Sequence, residues 1–134
     1  MLVLSNSIDQ TLNPGQSATF DIEVLHTGSG ECHRPGSGAV GLRAKQGVYR
    51  LVFSGNIGAV APGEAQIAIQ YDGSPLLETT AISQTATAGD LNNVCTGTLV
   101  GTCCCDGGVV TVANTGTVQI TLGAHPRLEI KRVA

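Results

Sequence analysis

Tryptophan is absent from this 134-residue chain, and its large aromatics are two Phe and two Tyr: Phe20, Tyr49, Phe53 and Tyr71. A core must therefore be assembled from Val, Ile, Leu and Ala, whose burial stabilises less per residue than that of aromatic rings. Charge is equally scarce, at 13% of residues, about half the usual share. A surface this poor in charge is expected to be covered in part by a partner or by further copies of the chain. Basic residues number 7 and are scattered singly apart from Lys131-Arg132, so no nucleic-acid partner is expected. Long apolar runs are missing as well. The opening Met1-Leu2-Val3-Leu4-Ser5 has no basic n-region and is too short for a signal peptide or a membrane span. The expectation is a protein made in the bacterial cytoplasm without a signal peptide, with no membrane partner, and released by lysis if it belongs to a particle.

Sustained helical periodicity is also lacking, whereas period-two alternation recurs. Ala18, Phe20, Ile22 and Val24 alternate with Thr19, Asp21 and Glu23, after the turn Asn13-Pro14-Gly15. Ala65, Ile67, Ile69 and Tyr71 alternate with Gln66, Ala68 and Gln70, and Asp72-Gly73 predicts a hairpin turn. Further alternating stretches surround Val118, Ile120 and Leu122, and Leu128 and Ile130. Gly47 to Phe53 is apolar on both faces and reads as a central strand, and Val109 to Ala113 is similar. Thr27 to Gly38, rich in Gly and Ser, reads as one long surface loop. Ala81 to Leu91 reads as a strand end followed by a loop. No composition break divides the chain. The prediction is an all-β sandwich of about ten short antiparallel strands, in a single domain spanning 1–134.

The residues that carry chemistry do not assemble into a known pattern. Five cysteines, Cys32, Cys95 and the run Cys103-Cys104-Cys105, suit neither a disulfide framework nor a zinc knuckle. They are read as reduced, small apolar residues, and the run as a packing element for closely approaching strands. His26, His33 and His125 fall in loops or strand ends and do not form the ligand cluster of a cupin barrel. Asp21 and Glu23 are read as a solvated outer face, and Asp72, Asp90 and Asp106 as turn residues. Gly28-Ser29-Gly30 lacks the third glycine and the helix of a nucleotide fingerprint. No nucleophile elbow, His-Glu-x-x-His or Walker motif occurs. The expectation is no enzyme, no catalytic residues, no metal and no cofactor.

The order of segments resembles that of the tumour-necrosis-factor/C1q-like jelly rolls. Gly47-Val48-Tyr49-Arg50-Leu51-Val52-Phe53-Ser54-Gly55-Asn56-Ile57 is similar to their central Gly-x-Tyr strand. Ala65 to Leu77, with its Asp72-Gly73 turn, Thr79 to Thr87, and Leu128-Glu129-Ile130 follow in the same order. The chain looks more like the compact variants encoded in bacterial and prophage genomes, which share the Asn6 to Gly15 opening and the Val112 to Gly116 turn. It has neither the collagen-like stalk nor the aromatic content of the animal domains. The resemblance, spanning about residues 9 to 133, implies a ten-stranded jelly roll and a tight homotrimer.

The expected role is a structural or display protein of a phage or prophage virion, of the capsid-decoration or head-fibre type. The alternative is a carbohydrate- or cell-surface-binding domain of a tail fibre or spore-surface filament. Partners are expected to be further copies of the chain, other virion proteins or a surface receptor. Tyr49, Leu51 and Phe53 share one face of the central strand by alternation and are the candidate subunit-interface residues.

Overall fold

The alternating stretches become two antiparallel sheets packed face to face. The computed structural model describes residues 1–44, 46–102 and 108–134. Among these the strands are β1 (Leu2–Ser5), β2 (Gln10–Leu12), β3 (Ile22–His26), β4 (Glu31–His33), β5 (Val40–Leu42), β6 (Gly47–Ala59), β7 (Gly63–Tyr71), β8 (Ser74–Pro75), β9 (Ala81–Thr85), β10 (Asn92–Thr102), β11 (Val109–Asn114), β12 (Ile120–Leu122) and β13 (Arg127–Arg132). A single 3-10 turn, Leu77–Thr79, interrupts them. The first sheet has seven strands, running β2-β12-β6-β13-β1-β3, with β10 also paired to β6. The second has six, running β4-β5-β11-β7-β8, with β9 also paired to β7. The protein is an all-β jelly-roll sandwich, with more and shorter strands than the ten expected.

β6 organises the first sheet. Its 13 residues make it the longest described strand. β12 and β13 pair successive stretches of one edge, at Ile57 to Ala59 and at Tyr49 to Ser54, while β10 pairs the whole of the other from Gly47 to Ile57. Both edges are thus satisfied, as the backbone of a buried strand requires. Gly58 permits a close approach in this region: a Cβ there would collide with the Asp90 carbonyl oxygen. The hairpin after β7 is as the sequence predicts. Asp72 and Gly73 have φ of 51° and 83°, which places both central residues in the left-handed region of a type I′ turn.

The core lies between the sheets. Leu2, Leu4, Tyr49, Leu51, Phe53, Leu128 and Ile130 from the first sheet meet Val40, Ala65, Ile67, Ile69, Val110 and Val112 from the second. Tyr49, Leu51 and Phe53, the expected interface residues, are 0% exposed within the single chain. They are interior residues, and this corrects the expectation. The opposite face of β6 carries Arg50, whose charge would be costly to bury unpaired, so the face with the three large apolar groups turns inward.

Two further expectations change. The Thr27 to Gly38 stretch is not one loop, because Glu31–His33 forms a short strand paired with β5. The alternation that begins at Ala18 breaks at Val24, which is 62% exposed. Opposite it the register between β1 and β3 shifts: Val3 faces Leu25, but Leu4 faces Glu23. Val24 is the extra residue of a β-bulge, and its side chain leaves the core side.

Candidate functional site

The outer faces of the two sheets differ in character. The second sheet presents Glu64, Gln66, Gln70, Gln84 and Thr111, alternating with the buried residues of β7, β9 and β11. Gln66 Nε2 donates to Thr115 Oγ1 at 3.1 Å, Gln84 Nε2 to Glu64 Oε2 at 3.1 Å, and Thr111 Oγ1 to Gln70 Oε1 at 3.1 Å. This face is largely polar, with Ile82 and Val109 as its exposed apolar residues. On the first sheet the register aligns Leu25, Val3, Glu129, Val52 and Gly97 in one row across five strands, and Lys131, Arg50 and Leu99 in the next. Small or apolar residues dominate, and the charges concentrate on a single centre. Glu129, whose side chain is 15% exposed, pairs with Arg50 Nη2 at 3.1 Å through one oxygen and with Arg127 Nη2 at 3.1 Å through the other. The single Glu129 carboxylate thus bridges two guanidiniums between apolar flanks.

The two flanks differ in form. At the β3 margin, Val3, Val24, Leu25 and Pro126 line an apolar groove of about 390 Å³. At the opposite margin Leu99 of β10 stands 60% exposed among Gly97, Gly101 and Cys95. The interface residues expected from the sequence, Tyr49, Leu51 and Phe53, lie on the inward side of β6, and the signal for that is Arg50, which alternation places beside Val48 and Val52 rather than beside Leu51.

Among the described residues the histidines, cysteines and carboxylates do not converge on one centre. Cys32 and Cys95 are free and exposed, on different sheets. The Cys103-Cys104-Cys105 run and Asp106 lie outside the described residues. His125 is a turn residue with φ of 62° between β12 and β13. His33 is fully buried. Its Nε2 donates to the Ser37 carbonyl at 2.9 Å, while its Nδ1 has no hydrogen bond and lies 3.5 Å from Glu23 Oε1. Glu23 also approaches His26 at 3.8 Å. Asp21, by contrast, accepts hydrogen bonds from the Ser7 hydroxyl at 2.6 Å and the Ser7 amide at 3.0 Å. The hydroxyl bond above all holds its carboxyl below the ordinary range, against an opposing desolvation and with help from the Ser7 amide. The two carboxylates are engaged by different partners and do not act as a pair. Among the described residues no group of three or more His, Cys, Asp or Glu is placed to hold a metal ion, and no helix is long and apolar enough to cross a membrane.

Strand order, the two-sheet core and the central Gly-x-Tyr strand together define the tumour-necrosis-factor/C1q-like jelly-roll fold. Among solved structures, the globular domain of zebrafish complement 1qA protein superposes with a TM-score of 0.66 at 12% identity, covering 98% of each chain. Murine APRIL superposes with a TM-score of 0.61 at 16% identity, over 97% of this chain and 98% of that one. PRD1 vertex protein P5 gives a TM-score of 0.58 at 14% identity, over 99% of this chain and 94% of that one. No family model matches the sequence, and no curated protein matches it.

Proposed function

We propose that this domain is a non-enzymatic structural and display protein that assembles as a homotrimer in a phage or prophage virion, as a capsid-decoration or head-fibre component. The observation that carries the assembly is the asymmetry of the two outer faces. The second sheet is largely polar, while the first is small and apolar around the Glu129 ion pairs, with the Val24–Leu25 groove at one margin and Leu99 at the other. In a threefold ring each subunit uses both margins. An obligate interface of ~2,000 Å² in total would take roughly 1,000 Å² from each partner. Two such contacts would cover about a third of the 6383 Å² that the isolated subunit exposes. The virion role is supported by the end-to-end superposition on PRD1 vertex protein P5.

Light scattering on purified protein tests the assembly. The expected mass is about three times the 13.6 kDa of one chain. Leu99→Arg should reduce it to one chain without loss of the β-type circular dichroism spectrum, because Leu99 is outside the core. A wild-type protein that is monomeric at micromolar concentration sinks the trimer. The location is tested by mass spectrometry of gradient-purified particles from the producing strain. Peptides of this chain should be present, and their absence from intact particles refutes the virion role.

A further inference from the structure

The chain carries a net charge of −3, yet three of its seven Lys and Arg residues line one recess. The recess, of about 650 Å³, lies between the Thr27 to Gly30 loop, the Arg43-Ala44 segment after β5, and the C-terminal end of β13. Arg132 Nε donates to the main-chain oxygen of Ala134 at 2.9 Å and Nη2 to the Gln46 carbonyl at 3.4 Å, which fixes the guanidinium at the rim of the recess. The Arg43 and Lys131 side chains have no hydrogen bond or ion pair among the described residues. The one carboxylate in the lining, Glu31, has a side chain only 1% exposed, and it faces the Met1 ammonium at 3.5 Å.

The opposite wall supplies donors. Among the described residues, the backbone N–H groups of Gly28, Ser29 and Gly30 have no hydrogen-bond partner. Gly28 has φ of 78°, a left-handed turn residue of the sort that aims successive N–H groups into one concavity. The walls are braced from within. The buried Tyr49 hydroxyl donates to the Gly30 carbonyl at 2.8 Å and accepts from the Ala44 amide at 3.3 Å. Arg43 N–H donates to the Gly30 carbonyl at 2.8 Å. One core side chain thus fixes the spacing between the glycine loop and the arginine segment.

We infer that this recess binds a small oxyanion: the carboxylate, sulfate or phosphate group of a ligand such as a charged sugar. Arg43 and Lys131 supply the unpaired cations of one wall, with Arg132 beside them, and the N–H groups of Gly28 to Gly30 supply directed donors. The inference does not rest on the trimer or on the virion role.

The test is a titration of the untagged, isotope-labelled chain with sodium sulfate, sodium phosphate and sodium glucuronate, each at fixed ionic strength against sodium chloride, followed by amide NMR. The expected result is a saturable shift at Gly28, Ser29, Gly30 and Arg43 with at least one of the three anions. The strongest binder identifies whether the site is built for a sulfate, a phosphate or a carboxylate. Arg43→Gln combined with Lys131→Gln should weaken binding at least tenfold while the rest of the spectrum is preserved. Tyr49→Phe, which keeps every charge but releases the brace, should weaken it severalfold. No saturable shift with any of the three anions overturns the inference, as does unchanged binding in the Arg43→Gln/Lys131→Gln variant.

Discussion

Asn114 shows how much one buried amide can fix in a sandwich with few large side chains. Its Nδ2 donates to the Leu12 carbonyl at 3.0 Å and the Val118 carbonyl at 2.8 Å, and its Oδ1 accepts from the Gly116 amide at 3.0 Å. The residue is 0% exposed and ties β2 of one sheet to β11 of the other. Asn114→Ala would leave two carbonyls and an N–H without partners, at a cost of about 2–4 kcal/mol. The expected reading is a fall in Tm of order 10 °C in calorimetry. The Ser7–Asp21 pair gives the pH prediction. The folded-state pKa of Asp21 is depressed, so the stabilisation is present above the unfolded carboxylate range and is lost as pH falls through the folded value. Ser7→Ala should therefore lower Tm at neutral pH, and the gap to wild type should narrow as the pH falls below about 4. A gap that widens in acid would contradict the assignment.

At the scale of elements, β6 is decided by which of its faces is buried. Phe53→Ala should cost about 3–5 kcal/mol by opening a cavity between the sheets. Gln84→Ala on the outer face of β9 should stay within about 0.5 kcal/mol. Denaturant midpoints at matched protein concentration measure both, and equal costs would mean the inward face is misassigned. β7 and β13 are legible in the sequence because they alternate, and β11 because its apolar run is bounded by turn residues. β10 is not, although it is 11 residues long. Gly97 and Gly101, with Asn92, Asn93, Thr96, Thr98 and Thr102, dilute the apolar pattern. β1 escapes notice because Leu2-Val3-Leu4 has no polar residue to mark a period, and in the folded chain all three are buried.

For the whole molecule, two of the five cysteines, Cys32 and Cys95, report which face is covered. Cys95 lies on the outer face of the first sheet, opposite Ser54, and Cys32 on the second sheet, opposite Gly41. If the first sheet forms the ring, a maleimide should label Cys32 quickly in the native assembly and Cys95 at least tenfold more slowly. In the Leu99→Arg monomer the two rates should converge. Peptide mapping by mass spectrometry separates the two sites. Rapid labelling of Cys95 in an intact oligomer would place the interface elsewhere.

The sequence by itself determined the class of fold. Two-residue periodicity, Asp-Gly and Asn-Pro-Gly turns and the lack of helical periodicity are local properties, and the all-β, two-sheet result follows from burying one side of each strand. It also determined the order of the central strand and its hairpin neighbours, on which the jelly-roll resemblance rests. Only the tertiary structure decided which way β6 faces, because both of its sides are apolar enough for either choice and the decision falls to Arg50 and to the volume of Tyr49, Leu51 and Phe53. Only the tertiary structure revealed the bulge at Val24, since a register shift depends on the partner strand. It alone brought Arg43, Lys131 and Arg132 to one recess: charges that stand up to 89 residues apart in the chain become neighbours only when β5 and β13 meet at the same end of the sandwich.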